Sequence, residues 1–415
     1  MLRPLGSLEH CFWLLGHGTS NHIIYAVEID GTAPPQAWRA AFDALRRRHP
    51  LLRVGIPATP NGFPYFEASE DRPIPVHFTN AARWTHDGID PDWLDRELTR
   101  ELAEPIDPNH APLMRAIVAS DGGDEGASNR SLLIVAASHA ICDGIGLAGC
   151  IRDVLHALAG ETLEPLPMPP SLNQIVNVAA ARAPSHAVSL AASPSPDAGA
   201  PVVHRLRLSR TLTGALRIRA RAANTTVHGA LSAAMLLSGR QYLQDWQGAA
   251  IKLVTPIDLR RQLGMEEDCG VYVTVGRALI EAGETLSFWE MARRVLRETD
   301  VAGTRAAVRF ETRDLRGQLN DGLDATGVAK ARRIGQARDF IVSNLGPLRF
   351  GTRIGTYRMT ALWGPFVQTG DKGDHMLGVA TLDGEMHLAL TSATPAAAGW
   401  LEAAKATLER GLQAT

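Results

Sequence analysis

The sequence lacks the marks of several large protein classes. Its net charge is almost nil: 42 Lys and Arg stand against 44 Asp and Glu in 415 residues, a formal −2. That balance removes any global electrostatic reason to bind nucleic acid or an anionic membrane. There are four cysteines, Cys11, Cys142, Cys150 and Cys269, spaced 131, 8 and 119 residues apart. Such intervals suit neither a disulfide framework nor paired zinc ligands. The longest apolar runs, such as 132–137 and 233–237, fall far short of the about 20 residues needed to span a bilayer. The opening MLRPLGSLEHCFW lacks the apolar core of a signal peptide. The expectation is a cytoplasmic monomer with no transmembrane segment, bound metal or nucleic-acid partner.

What the chain does have is 45% hydrophobic residues, enough for a sizeable core, and a length that suits two or three domains or one large split fold. Residues 22–29 (HIIYAVEI) read as a strand. Pro34 and Pro35 then open a helix whose stripe is Trp38, Ala41, Phe42 and Leu45. Arg46, Arg47 and Arg48 fill its last turn, and Pro50 stops it. A helix over 92–102, a strand over 113–118, a Gly/Asp/Asn-rich turn at 121–129, a buried strand over 131–137 and a helix over 146–158 follow. Residues 161–200 turn rich in Pro, Ala and Ser, with room for one helix over 172–181. Beyond them, strands are expected over 202–208, 251–256, 271–275, 341–342, 375–381 and 385–391. Helices are expected to 223 after Ser209 and Thr211, then over 227–243, 286–298 and 396–410. Asp383-Gly384 makes the hairpin turn between the last two strands. No repeat at a fixed period is visible. The pattern predicts a mixed α/β fold of two halves, 1–165 and 201–415, joined by a crossover at 166–200. A site is expected where the halves meet.

The chemically informative segment is Ser138-His139-Ala140-Ile141-Cys142-Asp143-Gly144. A His at the end of a buried strand is held rigidly, and its ordinary pKa suits proton transfer near neutral pH. Asp143 is placed to orient the segment by pairing with an Arg or with backbone N–H groups. Gly144 suits a position that a side chain would block. Taken alone, H-x-x-x-D-G fits a hydrogen-bonded core His as well as a catalytic base. No G-x-S-x-G, H-E-x-x-H, P-loop or dinucleotide fingerprint is present. Cys142 reads as buried packing, and Ser138 points to the other side of the strand from His139. His228 reads as packing near a helix cap.

Ser138–Gly144 resembles the HHxxxDG signature of the CoA-dependent acyltransferase superfamily. That superfamily includes chloramphenicol acetyltransferase, nonribosomal peptide condensation domains, plant acyltransferases and polyketide-associated acyltransferases. His139 matches the second His, the family's base, and Ser138 replaces the first. Leu5-Gly6-Ser7-Leu8-Glu9 with Phe12, the run Leu45–Arg53 (LRRRHPLLR), Thr255-Pro256-Ile257-Asp258-Leu259-Arg260 and Ser343-Asn344-Leu345-Gly346 resemble further anchors of such domains. The closest subgroup is the free-standing one typified by phthiocerol/phthiodiolone dimycocerosyl transferase.

The resemblance implies two chloramphenicol-acetyltransferase-like halves forming a V, with His139 at the seam of a tunnel open on both faces. It implies acyl transfer from an acyl carrier protein or CoA thioester to a hydroxyl, giving an ester. The phosphopantetheine thioester is then a co-substrate and no cofactor is permanently bound. His139 would act as base, Asp143 as a structural partner of an Arg such as Arg260, and a backbone N–H near Gly144 or the side chain of Asn344 as oxyanion donor. Two rival readings share this fold: a stand-alone condensation enzyme with an amine acceptor, and a degenerate docking domain. Trp363-Gly364-Pro365-Phe366 reads either as tunnel lining or as a turn with buried aromatics. Arg46–Arg48 reads either as a dock for an acidic carrier or phosphate, or as a solvated helix end.

Overall fold

The computed structural model describes residues 2–413 apart from 18–19, 59–62, 70–71, 81–83, 86–87, 121–128, 185–188, 191–199, 266–268, 333–337, 369–374 and 395–396. The expected turn at 121–129 therefore lies almost wholly outside the described residues, as does the start of the expected last helix.

The main elements, in chain order, begin with helix α1 (Ser7–Gly16), strand β1 (His22–Asp30), α2 (Pro35–Arg48), β2 (Val76–Thr79) and α3 (Pro91–Ala103). A hairpin of β3 (Met114–Ser120) and β4 (Arg130–Ser138) leads to α4 (Gly144–Leu158). After the proline-rich stretch come β5 (Val202–Leu208), α5 (Arg210–Ala222), α6 (Val227–Tyr242), β6 (Ile251–Asp258), β7 (Val273–Ile280), α7 (Phe288–Asp300), α8 (Arg305–Asn320) and α9 (Ala325–Arg332). The chain closes with β8 (Arg338–Pro347), β9 (Arg353–Ile354), β10 (Tyr357–Phe366), β11 (His375–Leu382), β12 (Glu385–Ser392) and α10 (Trp400–Gln413).

Two six-stranded sheets result, ordered β9-β10-β1-β4-β3-β2 and β7-β6-β8-β11-β12-β5. They contain the same unit. In the first, β1–β4 and β4–β3 are antiparallel and β3–β2 parallel. In the second, β5–β12 and β12–β11 are antiparallel and β11–β8 parallel. In both, the inner hairpin is followed by a helix, α4 or α10. The repeat is topological, which is why no period shows in the sequence.

The halves do not separate as the 166–200 boundary suggests. The chain leaves the second sheet after β8, adds β9 and β10 to the first sheet beside β1, and returns as β11. β11 then packs against the strand that has crossed over. At Gly378 an added Cβ would stand 2.1 Å from the carbonyl oxygen of Pro365, so only glycine lets the two backbones approach this closely.

β1 is apolar along its length because both its faces are covered. Ile23, Tyr25, Val27 and Ile29 join a core with Trp13, Phe42 and α4, and Ile24 and Ala26 join one that includes Leu94, Trp363, Val203 and Ala389. The second of these clusters draws on both sheets. The second half has its own core, centred on α6 and the Trp246–Trp400 pair, with ring centroids 5.0 Å apart. The Asp383-Gly384 turn forms as expected, with φ of +48° and +82°. Three helices, α1, α8 and α9, were not anticipated. α1 carries no N-cap hydroxyl, α8 has few buried positions, Val308, Thr312 and Leu319, and α9 is a short helix of eight residues. The proposed 172–181 helix is a single turn, Leu172–Ile175. Among the described residues no helix is long and apolar enough to cross a membrane.

Candidate active site

His139 follows directly on β4, and its placement is set by its neighbours. Its backbone N–H donates to the Asn21 carbonyl at 3.1 Å, and Asn21 Nδ2 donates to the Phe12 carbonyl at 2.7 Å. The Phe12 ring of α1 stacks on the imidazole, with centroids 3.9 Å apart and planes at 22°. The ring is half-buried. Its Nδ1 stands 3.1 Å from the carbonyl oxygen of Cys142. A carbonyl only accepts, so Nδ1 holds the proton and donates, and the neutral ring carries its lone pair on Nε2.

The loop that presents His139 is fixed by the other half. Asp143 is the N-cap of α4, its Oδ1 accepting from the Gly146 N–H at 2.9 Å. Its Oδ2 accepts from Arg260 NH1 at 2.8 Å and from the Tyr272 N–H at 2.8 Å. The Asp143 N–H donates to the Gly270 carbonyl at 3.1 Å. Both charged side chains are closed to solvent, at 0% and 1% exposure. Burial opposes the charge on Arg260, yet the Asp143 carboxylate, by charge and hydrogen bond, holds its pKa above the usual value, with Asp258 adding to the effect. The expected Arg260 partnership is therefore present. It ties the His139 loop to Arg260 and Tyr272 in the second half of the chain.

Gly144 opens α4, and Tyr25 donates its hydroxyl to the Gly144 carbonyl at 3.1 Å. A Cβ at Gly144 would lie 3.1 Å from that hydroxyl oxygen and 3.8 Å from Pro365, so the position is tight. Tyr25 was not singled out from the sequence, since it sits inside an ordinary strand pattern. Burial pushes its pKa up, and the Asp143 charge adds to the effect.

Asn344 is placed differently. Its Oδ1 accepts from the Gly346 N–H at 2.8 Å and shapes the end of β8. It lines a cavity of about 470 Å³ in the second half that has none of His139, Asp143 or Gly144 in its wall. The structure thus joins His139, Asp143, Gly144 and Arg260 in one network and leaves Asn344 apart from it.

The remaining anchors serve the frame. Glu9 takes the Gly6 N–H at 2.5 Å and pairs with Arg3 at 2.7 Å. Ser7 is tied to Asn173 of the crossover. Arg48 is buried on Asp153 at 2.9 Å, with His49 on the same carboxylate at 2.8 Å, joining α2 to α4. Burial opposes the charge on Asp153, but His49 and Arg152 hold its carboxyl below the usual value. Arg46 and Arg47 both pair with Asp43. The 46–48 cluster therefore makes ion pairs within the protein, Arg48 buried and Arg47 exposed. Trp363–Phe366 is neither turn nor loop: it ends the crossing strand β10. Trp363 donates to Glu28 at 2.8 Å and meets the His387 ring edge-on at 4.8 Å.

His228 is half-buried, 3.0 Å from the Thr255 hydroxyl, and burial pushes its pKa down to about 4. Cys142 is fully buried, as expected of packing, but the spacing gave no sign that its Sγ, Cys150 Sγ and Cys269 Sγ all lie within 4.8 Å of one another behind the His139 loop. Burial pushes the Cys142 thiol well up, so it is a neutral group there.

Two α/β lobes sharing one topological unit thus meet beside a strand-end histidine, through Asp143 and Arg260. Residues 197–299 match the family described as the phthiocerol/phthiodiolone dimycocerosyl transferase C-terminus. Tyrocidine synthase 3 of Brevibacillus parabrevis is 28% identical over 151 residues, and a plipastatin synthase chain of Bacillus subtilis is 26% identical over 154. Each match covers 36% of this chain but only 2% and 6% of those much longer proteins. Among solved structures, polyketide synthase associated protein 5 from Mycobacterium tuberculosis superposes with a TM-score of 0.67 at 18% identity, covering 100% of this chain and 98% of that one. The first condensation domain of the CDA synthetase gives 0.68 at 13%, over 98% and 95%. The trichothecene 15-O-acetyltransferase TRI3 of Fusarium sporotrichioides gives 0.71 at 13%, over 99% and 94%. At these identities the structures establish the fold. The chain thus has the fold these acyltransferases and condensation domains share, and its residues 197–299 match the transferase C-terminal family.

Proposed function

We propose that this protein transfers an acyl group from a phosphopantetheine thioester, carried on coenzyme A or an acyl carrier protein, to a small-molecule nucleophile, with His139 as general base. One observation carries the reading: the half-buried imidazole at the end of β4 has Nδ1 committed to the Cys142 carbonyl, which leaves the lone pair on Nε2. Nε2 takes the proton of the acceptor as its N or O attacks the thioester carbonyl. The tetrahedral adduct then collapses, the C–S bond breaks, and Nε2 returns the proton to the leaving sulfur. Holding both substrates in one site supplies much of the gain, so no acyl-enzyme is required. The first N–H groups of α4, beginning at Gly144, suit the developing oxyanion better than Asn344, which helps to form a separate cavity. The Asp143–Arg260 latch orients the loop between lobes that we read as a V.

On the acceptor, the relatives favour the condensation reading, amide formation from an amine, over the ester expected from sequence. Both curated matches are peptide-antibiotic synthases, and condensation domains recur among the similar structures. Ester formation stands second, supported by the likeness to an O-acetyltransferase. The test is to offer CoA- and carrier-bound thioesters with matched amines and alcohols, and to identify products by mass spectrometry. Amide is the expected product. Ester alone would restore the second reading, and a folded protein that acylates neither acceptor would overturn the enzyme reading in favour of a docking domain.

A further inference from the structure

Cysteine is scarce in this chain, four residues in 415, and three of the four meet at one point. Cys142 lies in the loop after β4 and Cys150 in the second turn of α4. Cys269 belongs to the second half and precedes Gly270, whose carbonyl accepts from the Asp143 N–H. The three sulfurs lie within 4.8 Å of one another. Sulfurs bonded to one centre at about 2.3 Å, and spread evenly round it, stand about 4 Å apart, so the three need little movement to share a ligand. All are closed to solvent, at 0%, 1% and 2% exposure. Packing alone asks only for small apolar side chains and gives no reason to gather the rare sulfurs from three segments.

The surroundings select the ligand. Structural zinc takes four donors, and among the described residues this group has three, with no fourth His, Cys, Asp or Glu. The neighbouring carboxylate, Asp143, is spent on Arg260 and on the N–H groups of Tyr272 and Gly146. Charge narrows the choice further. Three thiolates around a monovalent ion leave two negative charges, and around a divalent ion one, in a place closed to water where net charge is costly. Arg260 offers no compensation, since Asp143 and Asp258 already flank it. A trivalent centre leaves the site neutral. The thiols are neutral as well: burial pushes Cys142 well up, and Cys269 is raised first by its hydrogen bond with Cys142, with burial adding to it. Their other contacts are weak, Cys142 Sγ to the Asp143 carbonyl at 3.4 Å and Cys269 Sγ to the Ile141 carbonyl at 3.6 Å. Little is given up when the S–H protons leave.

We propose that Cys142, Cys150 and Cys269 form a three-sulfur binding site for a trivalent metalloid, with arsenic(III) as its type. Arsenous acid meets three neutral thiols. Three As–S bonds form, three As–O bonds break, and each hydroxyl leaves with a thiol proton as water. Arsenic stays trivalent and sulfur is not oxidised, so the step needs no oxidant or reductant. The bound centre ties the His139 loop, α4 and the second half together, next to the Cys142 carbonyl that holds His139 Nδ1. The site stands whether or not the protein transfers acyl groups.

The experiment is arsenite binding to the reduced full chain, read by native mass spectrometry and by the near-ultraviolet absorption of As–S bonds, with zinc as the comparison probe. Entry needs a local opening, so binding is read at equilibrium after long incubation. One arsenic per chain is expected, with a mass gain of one arsenic less three hydrogens, and arsenite should bind more tightly than zinc. Cys142→Ala, Cys150→Ala and Cys269→Ala should each weaken arsenite binding by more than about 100-fold, since losing even an outer-shell partner of a metal site costs about 10–100-fold. Cys11→Ala should bind like wild type. No arsenite binding, a mass gain with only two sulfurs engaged, zinc held as tightly as arsenite, or full-strength binding by a folded variant of the three would overturn the site. The wild-type mass and the zinc comparison decide the matter even where a melting curve shows that a buried Ala variant has failed to fold.

Discussion

Strand β4 in the first sheet and β12 in the second occupy the same place in the same topological unit. Each is the second arm of the inner hairpin, each ends in serine, and each leads to a helix. The residues after the serine differ. Beyond Ser138 the chain sets out an imidazole and a carboxylate that the opposite half grips through Arg260 and Tyr272. Beyond Ser392 it sets out Ala393 and Thr394, and the Ser392 hydroxyl is spent locally, on the Thr394 carbonyl and the buried His375. One unit, used twice, thus gives one strand end gripped by the opposite half and one strand end closed on itself. Chemistry here belongs to the side chains grafted on the fold, not to the fold itself.

Acid is the treatment expected to have the largest effect, because it acts on both halves together. Burial pushes His10 down to about 3 and His22 to about 4 in the first half, and His387 to about 3 and His228 to about 4 in the second. The unfolded chain takes up these protons near 6.5 and the folded chain only near 3–4. The stabilisation is complete above about pH 6.5 and lost as the pH falls toward 4, by about 1.4 kcal/mol per unit for each fully buried ring. Half-buried His228 contributes less. The melting temperature should drop steadily between pH 7 and 4 in one transition. A flat profile would contradict the burial of these rings, and two separated transitions would show that the halves fold independently.

The latch comes next. Asp143→Ala strips the buried Arg260 of its nearer carboxylate and leaves it to Asp258 at 3.2 Å, an expected cost of up to about 3–5 kcal/mol. Ser392→Ala, its counterpart in the closed half, should cost about 1 kcal/mol. Asp143→Ala/Arg260→Met should recover part of the larger loss. Equal losses from the two single changes, read by denaturant unfolding, would erase the distinction between the two strand ends. At the crossing strand, Gly378→Ala forces a Cβ against Pro365 and should cost about 1–3 kcal/mol. A neutral result would mean that the crossing is looser than drawn. The smallest effect is expected at Ser138, whose hydroxyl takes only a 3.4 Å contact from the Ala140 N–H. Ser138→Ala should change stability by no more than about 0.5 kcal/mol and leave turnover intact. A large loss there would give this serine the supporting role of the family's first histidine.

Much of this was legible in the sequence because it depends on local patterns. The β1 and β4 runs, the α2 stripe, the cap at Ser209 and the 383–384 turn follow from periodicity and from residues close together in the chain. Arg260 could be matched to Asp143 only through the family resemblance, since 117 residues separate them. Three features had no local signal. Phe12 stacks on His139 from a helix whose start carries no N-cap hydroxyl. Three distant cysteines meet behind the loop. β10 joins a sheet whose strands β1 to β4 lie more than 200 residues earlier, because pairing partners are chosen by tertiary packing and not by propensity. Asn344 shows the converse: a motif residue visible in the sequence that the fold uses in another cavity.

The account stands most directly on the turnover of His139→Ala compared with wild type, using the donor and acceptor that wild type accepts. It predicts a fall of about 10²–10⁴ with the melting temperature unchanged. Near-normal acyl transfer by the folded variant would contradict it.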